Sequence, residues 1–165
     1  MKAIINWLRT VEMLASNVYL EAAEQLNQDQ EFSAFLSKAS DEEAWHFHIM
    51  GSAMTFLEEI KMVPQAEITI DSDMKNKIEL PFKELYESIT KKTITRKDVV
   101  DCIVKTEFNE WNSIFIYVIK ALQQETNMFQ HVAATIESHK EKAIKFLKSL
   151  PENLRVSDDV LGFPN

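Results

Sequence analysis

The sequence has few of the residues that interrupt helices and few that bind metals through sulfur. It contains 2 glycines and 4 prolines in 165 residues, which argues against a turn-rich β-sandwich or β-barrel. Its single cysteine, Cys102, cannot form a disulfide within the chain and excludes a four-cysteine metal site. Low cysteine content fits a reducing compartment, so we expect a cytoplasmic protein.

Long apolar runs and an excess of positive charge are also missing. No run of about 20 apolar residues occurs, so a transmembrane helix is not expected. The apolar residues near the N-terminus are interrupted too soon to form the core of a signal peptide. The net charge of -8 makes nucleic acid and anionic membranes unexpected partners.

The abundant residues are good helix formers, and the apolar positions recur with a helical period. The sequence therefore predicts an all-α domain over residues 1–150, an antiparallel four-helix bundle with one long crossover between helices 2 and 3. The predicted helices cover residues 2–26, 31–62, 95–124 and a last segment that ends near Leu150.

The crossover, residues 63–94, is the least regular part of the sequence. We expect residues 68–70 to be extended and residues 81–90 to form a short helix. Thr95 and Asp98 resemble a capping box at the start of the third helix, with Asp in place of Glu. Residues 151–165 are expected to be a tail on the outside of the bundle.

Charged residues interrupt the apolar stripes of all four helices. The clearest case is Glu43-x-x-His46, because residues three apart on a helix share one face and can reach one ion. Similar positions on the other helices hold further polar residues, and the two hairpins repeat a Glu followed by a Tyr seven residues later. The polar set is Glu12, Tyr19, Glu43, His46, Glu107, Glu110, Tyr117, His139 and Lys142.

Several carboxylates at one level of a core repel each other and lose hydration unless cations lie among them. A metal ion is the simplest such cation, and Glu and His ligands suit iron or manganese, with zinc also possible. Each residue has an ordinary alternative too. The carboxylates could be solvated or paired with lysines, His139 could be a hydrogen-bonded core residue, and Lys142 could be exposed or salt-bridged.

The pattern resembles the rubrerythrin-like branch of the ferritin-like di-iron proteins over roughly residues 3–149. The residues that carry this resemblance are Glu12 with Tyr19, Glu43-Ala44-Trp45-His46, and Glu107-Phe108-Asn109-Glu110. The resemblance implies a non-haem iron protein that reduces hydrogen peroxide or dioxygen, and a homodimer. Because the chain has no rubredoxin-type cysteines, a separate redox protein would donate the electrons.

The same resemblance implies the roles of the residues. Glu43 would bridge two ions, Glu12 and Glu110 would be terminal ligands, His46 would bind one ion, and Glu107 would be a mobile extra carboxylate. Tyr19 and Tyr117 are candidates to donate hydrogen bonds to ligating carboxylates. No residue is assigned as catalytic.

The fourth helix departs from the family pattern. A second Glu-x-x-His is expected there, but the register gives His139-x-x-Lys142. Two interpretations follow: the Lys142 ammonium replaces the second ion, or Lys142 points outwards and His139 completes a modified two-metal site. The functional alternatives are a metal-binding or structural module without catalysis, and, third, iron storage.

Overall fold

The structure is a computed structural model that describes residues 1–60, 68–107, 110–124 and 126–156, with the side chains of residues 107 and 110–112 excepted. The protein is all-α: the described part of the chain contains no β-strand. This confirms the predicted all-α class. Within the same ranges, no helix combines the length and the apolar character needed to cross a membrane.

Six α-helices and one short 3₁₀ helix follow one another in the described ranges. Their bounds are α1 Lys2–Gln25, α2 Gln30–Glu59, α3 Ser72–Thr90, α4 Arg96–Glu107, α5 Glu110–Gln123, the 3₁₀ helix Asn127–Phe129 and α6 Val132–Ser149. The predicted helices 1, 2 and 4 correspond to α1, α2 and α6. The predicted third helix corresponds to α4 and α5, and residues 108–109 between them lie outside the described residues.

Helices α1 and α2 form an antiparallel hairpin, as their contacts show. The guanidinium carbon of Arg9 lies 4.7 Å from the ring centroid of Phe47, and the Ser40 hydroxyl donates to the Ser16 carbonyl at 2.8 Å. As residue numbers rise along α1 they fall along α2. This register brings the middle of α1 beside the middle of α2.

Helix α6 packs antiparallel to α2 on another side. The ring of Phe146 stacks on Phe35, with centroids 3.6 Å apart. About two helical turns further along α2, and the same distance back along α6, Glu42 contacts His139. Helix α5 also contacts the central part of α2. The ring centroid of Phe115 on α5 lies 5.3 Å from that of His46 on α2.

Helix α3 corrects the expectation for the crossover, where a short helix was predicted to start at Pro81. The helix begins at Ser72 instead, because Asp71 caps it by accepting a hydrogen bond from the Met74 N–H at 2.8 Å. Its buried residues Ile78, Phe82, Leu85 and Ile89 keep a helical period. Burial of this stripe outweighs the hydrogen bond that Pro81 cannot donate inside the helix.

Helix α3 packs against α1. The Trp7 indole N–H donates to Glu79 Oε1 at 2.9 Å, and the Gln25 amide donates to the Ile89 carbonyl at 3.0 Å. Residues 61–67 lie outside the described residues, and no strand is assigned at residues 68–70. The segment predicted to be the crossover therefore contains a long helix, Ser72–Thr90.

The predicted capping box is present at the start of α4. Asp98 Oδ2 accepts from the Thr95 N–H at 2.8 Å, and the Thr95 hydroxyl oxygen accepts from the Asp98 N–H at 3.2 Å. At the other end of the chain α6 stops at Ser149, close to the predicted end. Of the tail, Leu154 and Val156 pack against the core, and residues 157–165 lie outside the described residues.

Asp29 ties the start of α2 to the start of α4. One carboxylate oxygen accepts from the Phe32 N–H at 3.1 Å and the other from Arg96 Nη1 at 2.7 Å. The Phe32 hydrogen bond and then Arg96 hold the pKa of Asp29 below its ordinary 3.8. We expect Asp29→Ala to lower the free energy of unfolding by about 1 kcal/mol at pH 7 in urea titrations.

Because the pKa is lowered in the folded state, the Asp29 contribution is complete above its ordinary pKa and is lost as the pH falls through the lowered one. The difference between wild type and Asp29→Ala should shrink over that acidic range. Asp29→Asn is the matched control, since its amide oxygen can still accept from the Phe32 N–H. Equal destabilisation by both variants would contradict the capping role.

Candidate metal centre

Three polar side chains meet in the interior where α1 crosses the middle of α2. Glu12, Glu43 and His46 expose 1%, 0% and 2% of their surface. Their ligand atoms all lie within 4.8 Å of one another. Sequence spacing predicted this group, because Glu43 and His46 are three residues apart on α2 and Glu12 lies on the facing stripe of α1.

The imidazole faces both carboxylates with the same nitrogen. His46 Nδ1 lies 2.7 Å from Glu43 Oε2 and 3.4 Å from Glu12 Oε2. A carboxylate oxygen and an unprotonated imidazole nitrogen repel each other through their lone pairs, so a proton or a metal ion belongs between them. Two ligands held about 2.1 Å from one ion at a right angle would lie about 3 Å apart. The observed distances bracket that value.

The other nitrogen of His46 is buried and has no hydrogen-bond partner in the described part of the chain. Its ring neighbours are aromatic: the centroids of Trp45, Phe115 and His139 lie 5.5, 5.3 and 5.5 Å away. The carboxylates on the Nδ1 side are therefore what orients this imidazole. The donor set of two carboxylates and one imidazole fits a divalent ion with oxygen and nitrogen ligands.

A second imidazole faces the other carboxylate oxygen of Glu43. His139 on α6 is 5% exposed, and its Nε2 lies 3.3 Å from Glu43 Oε1. Its Nδ1 lies 2.6 Å from Glu42 Oε2. Because an ionised carboxylate only accepts hydrogen bonds, Nδ1 carries the proton and donates to Glu42.

Glu42 connects this imidazole to the surface. The Lys142 ammonium donates to Glu42 Oε1 at 2.6 Å, while the Lys142 side chain stays 45% exposed. The hydrogen bond from His139 and the weaker effect of Lys142 outweigh burial and lower the pKa of Glu42 from 4.5 to about 2. Glu42 is therefore ionised at neutral pH.

Glu43 is thus the centre of the cluster. One of its oxygens faces His46, on the Glu12 side, and the other faces His139. Both oxygens of a single buried carboxylate are directed at imidazoles that come from different helices. In this arrangement each oxygen of one carboxylate can interact with a different cation.

Several predicted site residues lie outside this cluster or outside the described part. The side chains of Glu107 and Glu110 lie outside the described residues, so their ligand roles stay predictions. The Tyr19 hydroxyl lies 3.4 Å from Thr106 Oγ1. Tyr117 is half-buried and lines an apolar groove. Hydrogen bonds from these tyrosines to a ligating carboxylate stay predictions as well.

Lys142 does not enter the core in this structure. Of the two sequence interpretations, the outward-pointing side chain matches what is seen, since the ammonium lies on the half-buried Glu42. The sequence analysis missed Glu42 itself. Its only sequence signal is its place directly before Glu43, which turns it off the apolar stripe and toward α6.

The chain has no match among protein-family models, curated proteins or solved structures. The class of site is accordingly defined by geometry: a buried carboxylate and imidazole cluster with the donor set of a divalent metal centre. Glu12, Glu43 and His46 are the residues that could hold an ion.

Glu42 should matter more to stability than Lys142. Glu42→Ala leaves the buried His139 Nδ1–H without its acceptor, and we expect a loss of about 1–3 kcal/mol in free energy of unfolding. Lys142→Ala removes one half-exposed ion pair and should cost less than about 1 kcal/mol. Urea titrations in chelator-treated buffer measure both without any influence of bound ions.

Glu87→Ala is a matched control, because Glu87 pairs with Lys91 on the exposed face of α3 at 3.2 Å. It should change stability by no more than a few tenths of a kcal/mol. If Glu42→Ala lowered the free energy of unfolding no more than the control does, the Glu42–His139 hydrogen bond would not contribute to stability as expected.

Proposed function

We propose that the chain is a ferritin-like four-helix protein of the rubrerythrin-like kind, with α1, α2, α4–α5 and α6 as the four helices. Support comes from the antiparallel contacts of α1 with α2 and of α2 with α6, and from the polar cluster at the middle of the helices. Helix α3 then lies in the crossover between the second and third helices of the bundle.

We propose that Glu12, Glu43 and His46 bind a redox-active divalent metal, iron first and manganese second, with zinc as a redox-inert possibility. The observation that carries this proposal is the burial of both carboxylates at 1% and 0% exposure beside one imidazole nitrogen. Burying uncompensated carboxylates costs several kcal/mol for each ion, and a divalent cation offsets that cost.

The proposed activity is reduction of hydrogen peroxide or dioxygen. Bound iron would supply the electrons, which for peroxide means two electrons and two protons per molecule and two waters as product. The chain's own residues would exclude water from the cluster and fix the imidazole of His46. A separate redox protein would return the electrons, and a homodimer is the assembly that the family resemblance suggests.

A second candidate is a ferritin-like metal-binding module without catalysis. It is favoured by the fourth helix, where Lys142 stands in place of the expected imidazole and pairs with Glu42. A site with one ion lacks the second metal electron that two-electron reduction of peroxide needs. Iron storage is the third alternative, and native mass would test it together with the homodimer.

Metal content tests the binding proposal. We expect protein that is reconstituted anaerobically with ferrous ion and then desalted to retain at least one iron per chain by elemental analysis. Glu12→Gln should weaken retention at least tenfold, and His46→Ala should abolish it at micromolar iron, because each removes one of three ligands.

Glu137→Gln is the matched control for the metal measurement, since Glu137 is exposed on α6. It should retain the wild-type amount of iron. Helical circular dichroism checks that each variant is folded. Failure of folded wild-type protein to retain iron, manganese or zinc would rule out the metal centre.

Peroxide turnover tests the activity. Ferrous-loaded wild-type protein should be oxidised by stoichiometric peroxide within seconds in stopped-flow absorbance, with one peroxide consumed for every two irons. Rapid binding of iron followed by slow, non-stoichiometric oxidation would favour the non-catalytic module instead.

A further inference from the structure

Trp45 is an exposed residue whose ring contacts a member of the buried cluster. Trp45 is 38% exposed, and its ring centroid lies 5.5 Å from that of His46 at an interplanar angle of 61°. We propose that Trp45 is an electron donor: its indole supplies the second electron for peroxide reduction when a single iron is bound. The inference rests on the proposed iron site and adds a redox-active side chain to it.

The helix places Trp45 at the border between the cluster and the solvent. Neighbouring residues on an α-helix point about 100° apart, so Trp45 turns toward the surface while His46, 2% exposed, turns inward. The two rings still meet in an edge-to-face contact. The imidazole therefore contacts the indole through its ring and faces the carboxylates of Glu12 and Glu43 with its Nδ1.

The other described rings that contact His46 do not combine exposure with ease of oxidation. Phe115 is 1% exposed and His139 is 5% exposed. Neither a phenyl ring nor an imidazole gives up an electron as readily as an indole does. Among these described ring neighbours, Trp45 is the one suited to carry an electron between the solvent and the cluster.

The composition of the cluster shows why a further electron is needed. Glu12, Glu43 and His46 form one group of ligands, while Lys142 stands where a second imidazole would be expected and pairs with Glu42. One ferrous ion can give one electron, whereas reduction of peroxide to two waters takes two. Without a second donor, the O–O bond breaks to hydroxide and a free hydroxyl radical. An oxidisable ring beside the ligand imidazole prevents that outcome.

The step balances when the indole of Trp45 is the second donor. Hydrogen peroxide takes one electron from the ferrous ion, one electron and the N–H proton from the indole, and one proton from solvent, and it yields two waters. The indole is left as a neutral radical. Because the residue is exposed, a one-electron donor of the flavin or iron–sulfur class can return the electron at the surface, and solvent returns the proton. Two bound irons would supply both electrons without the indole.

Rapid freeze-quench electron paramagnetic resonance tests the inference on protein loaded anaerobically with one ferrous ion per chain. After one equivalent of peroxide, we expect wild type to show an indole radical whose signal narrows when the tryptophan rings are deuterated. Trp45→Phe should lose that radical and release hydroxyl radical instead, detected as a spin-trap adduct. Trp45→Tyr should suppress the adduct again, with a tyrosyl radical in place of the indole radical.

Trp7→Phe is the matched control, because Trp7 is 7% exposed and its indole N–H donates to Glu79 on α3. It should keep the radical and release no hydroxyl radical. Iron content and helical circular dichroism show whether each variant is loaded and folded. Ascorbate, as a one-electron donor, should remove the wild-type radical without changing the amount of bound iron. Both the radical signal and the spin-trap yield are independent of turnover.

The outcomes separate this inference from the proposed function. Equal spin-trap yields in wild type and Trp45→Phe, or an indole radical that persists in Trp45→Phe, would overturn the role of Trp45 and leave the iron site intact. Oxidation of the bound iron with no indole radical in wild type would overturn it as well. Folded wild-type protein that retains no iron would overturn the proposed function, and the inference with it.

Discussion

The arrangement of the molecule depends on two carboxylates buried in its interior. Glu12 and Glu43 are almost completely removed from water, and an ionised carboxylate in that position is costly unless a positive partner lies beside it. The imidazoles of His46 and His139 face these carboxylates, so a proton or a metal ion between the groups can offset that cost. Helices α1, α2 and α6 are placed so that these side chains meet.

The hairpin register is what makes the cluster possible. Contacts between Arg9 and Phe47 and between Ser16 and Ser40 fix α1 against α2 on either side of Glu12. A shift of one residue would rotate Glu12 by about 100° away from the facing stripe. These contacts on either side of Glu12 thus set the geometry of the polar group, and the polar group in turn disfavours other registers.

The region around Glu42 shows how a polar network can extend from a buried cluster to the surface. Lys142 is half-exposed, Glu42 is partly buried and His139 is buried. The positive charge of Lys142 offsets the negative charge of Glu42, and Glu42 in turn accepts from the imidazole that faces Glu43. The low pKa of Glu42 follows from its two donors and keeps this carboxylate ionised.

Helix content and the central cluster could be predicted from sequence because they depend on local periodicity: Glu43 and His46 share a face of one helix wherever that helix packs. The start of α3 was predicted wrongly, since the Asp71 cap and burial against α1 outweighed the proline signal. Only tertiary structure decided that Lys142 meets Glu42 and that His139 faces Glu43. Those contacts join residues about a hundred positions apart, and their pairing depends on how α6 lies against α2, which no local pattern specifies.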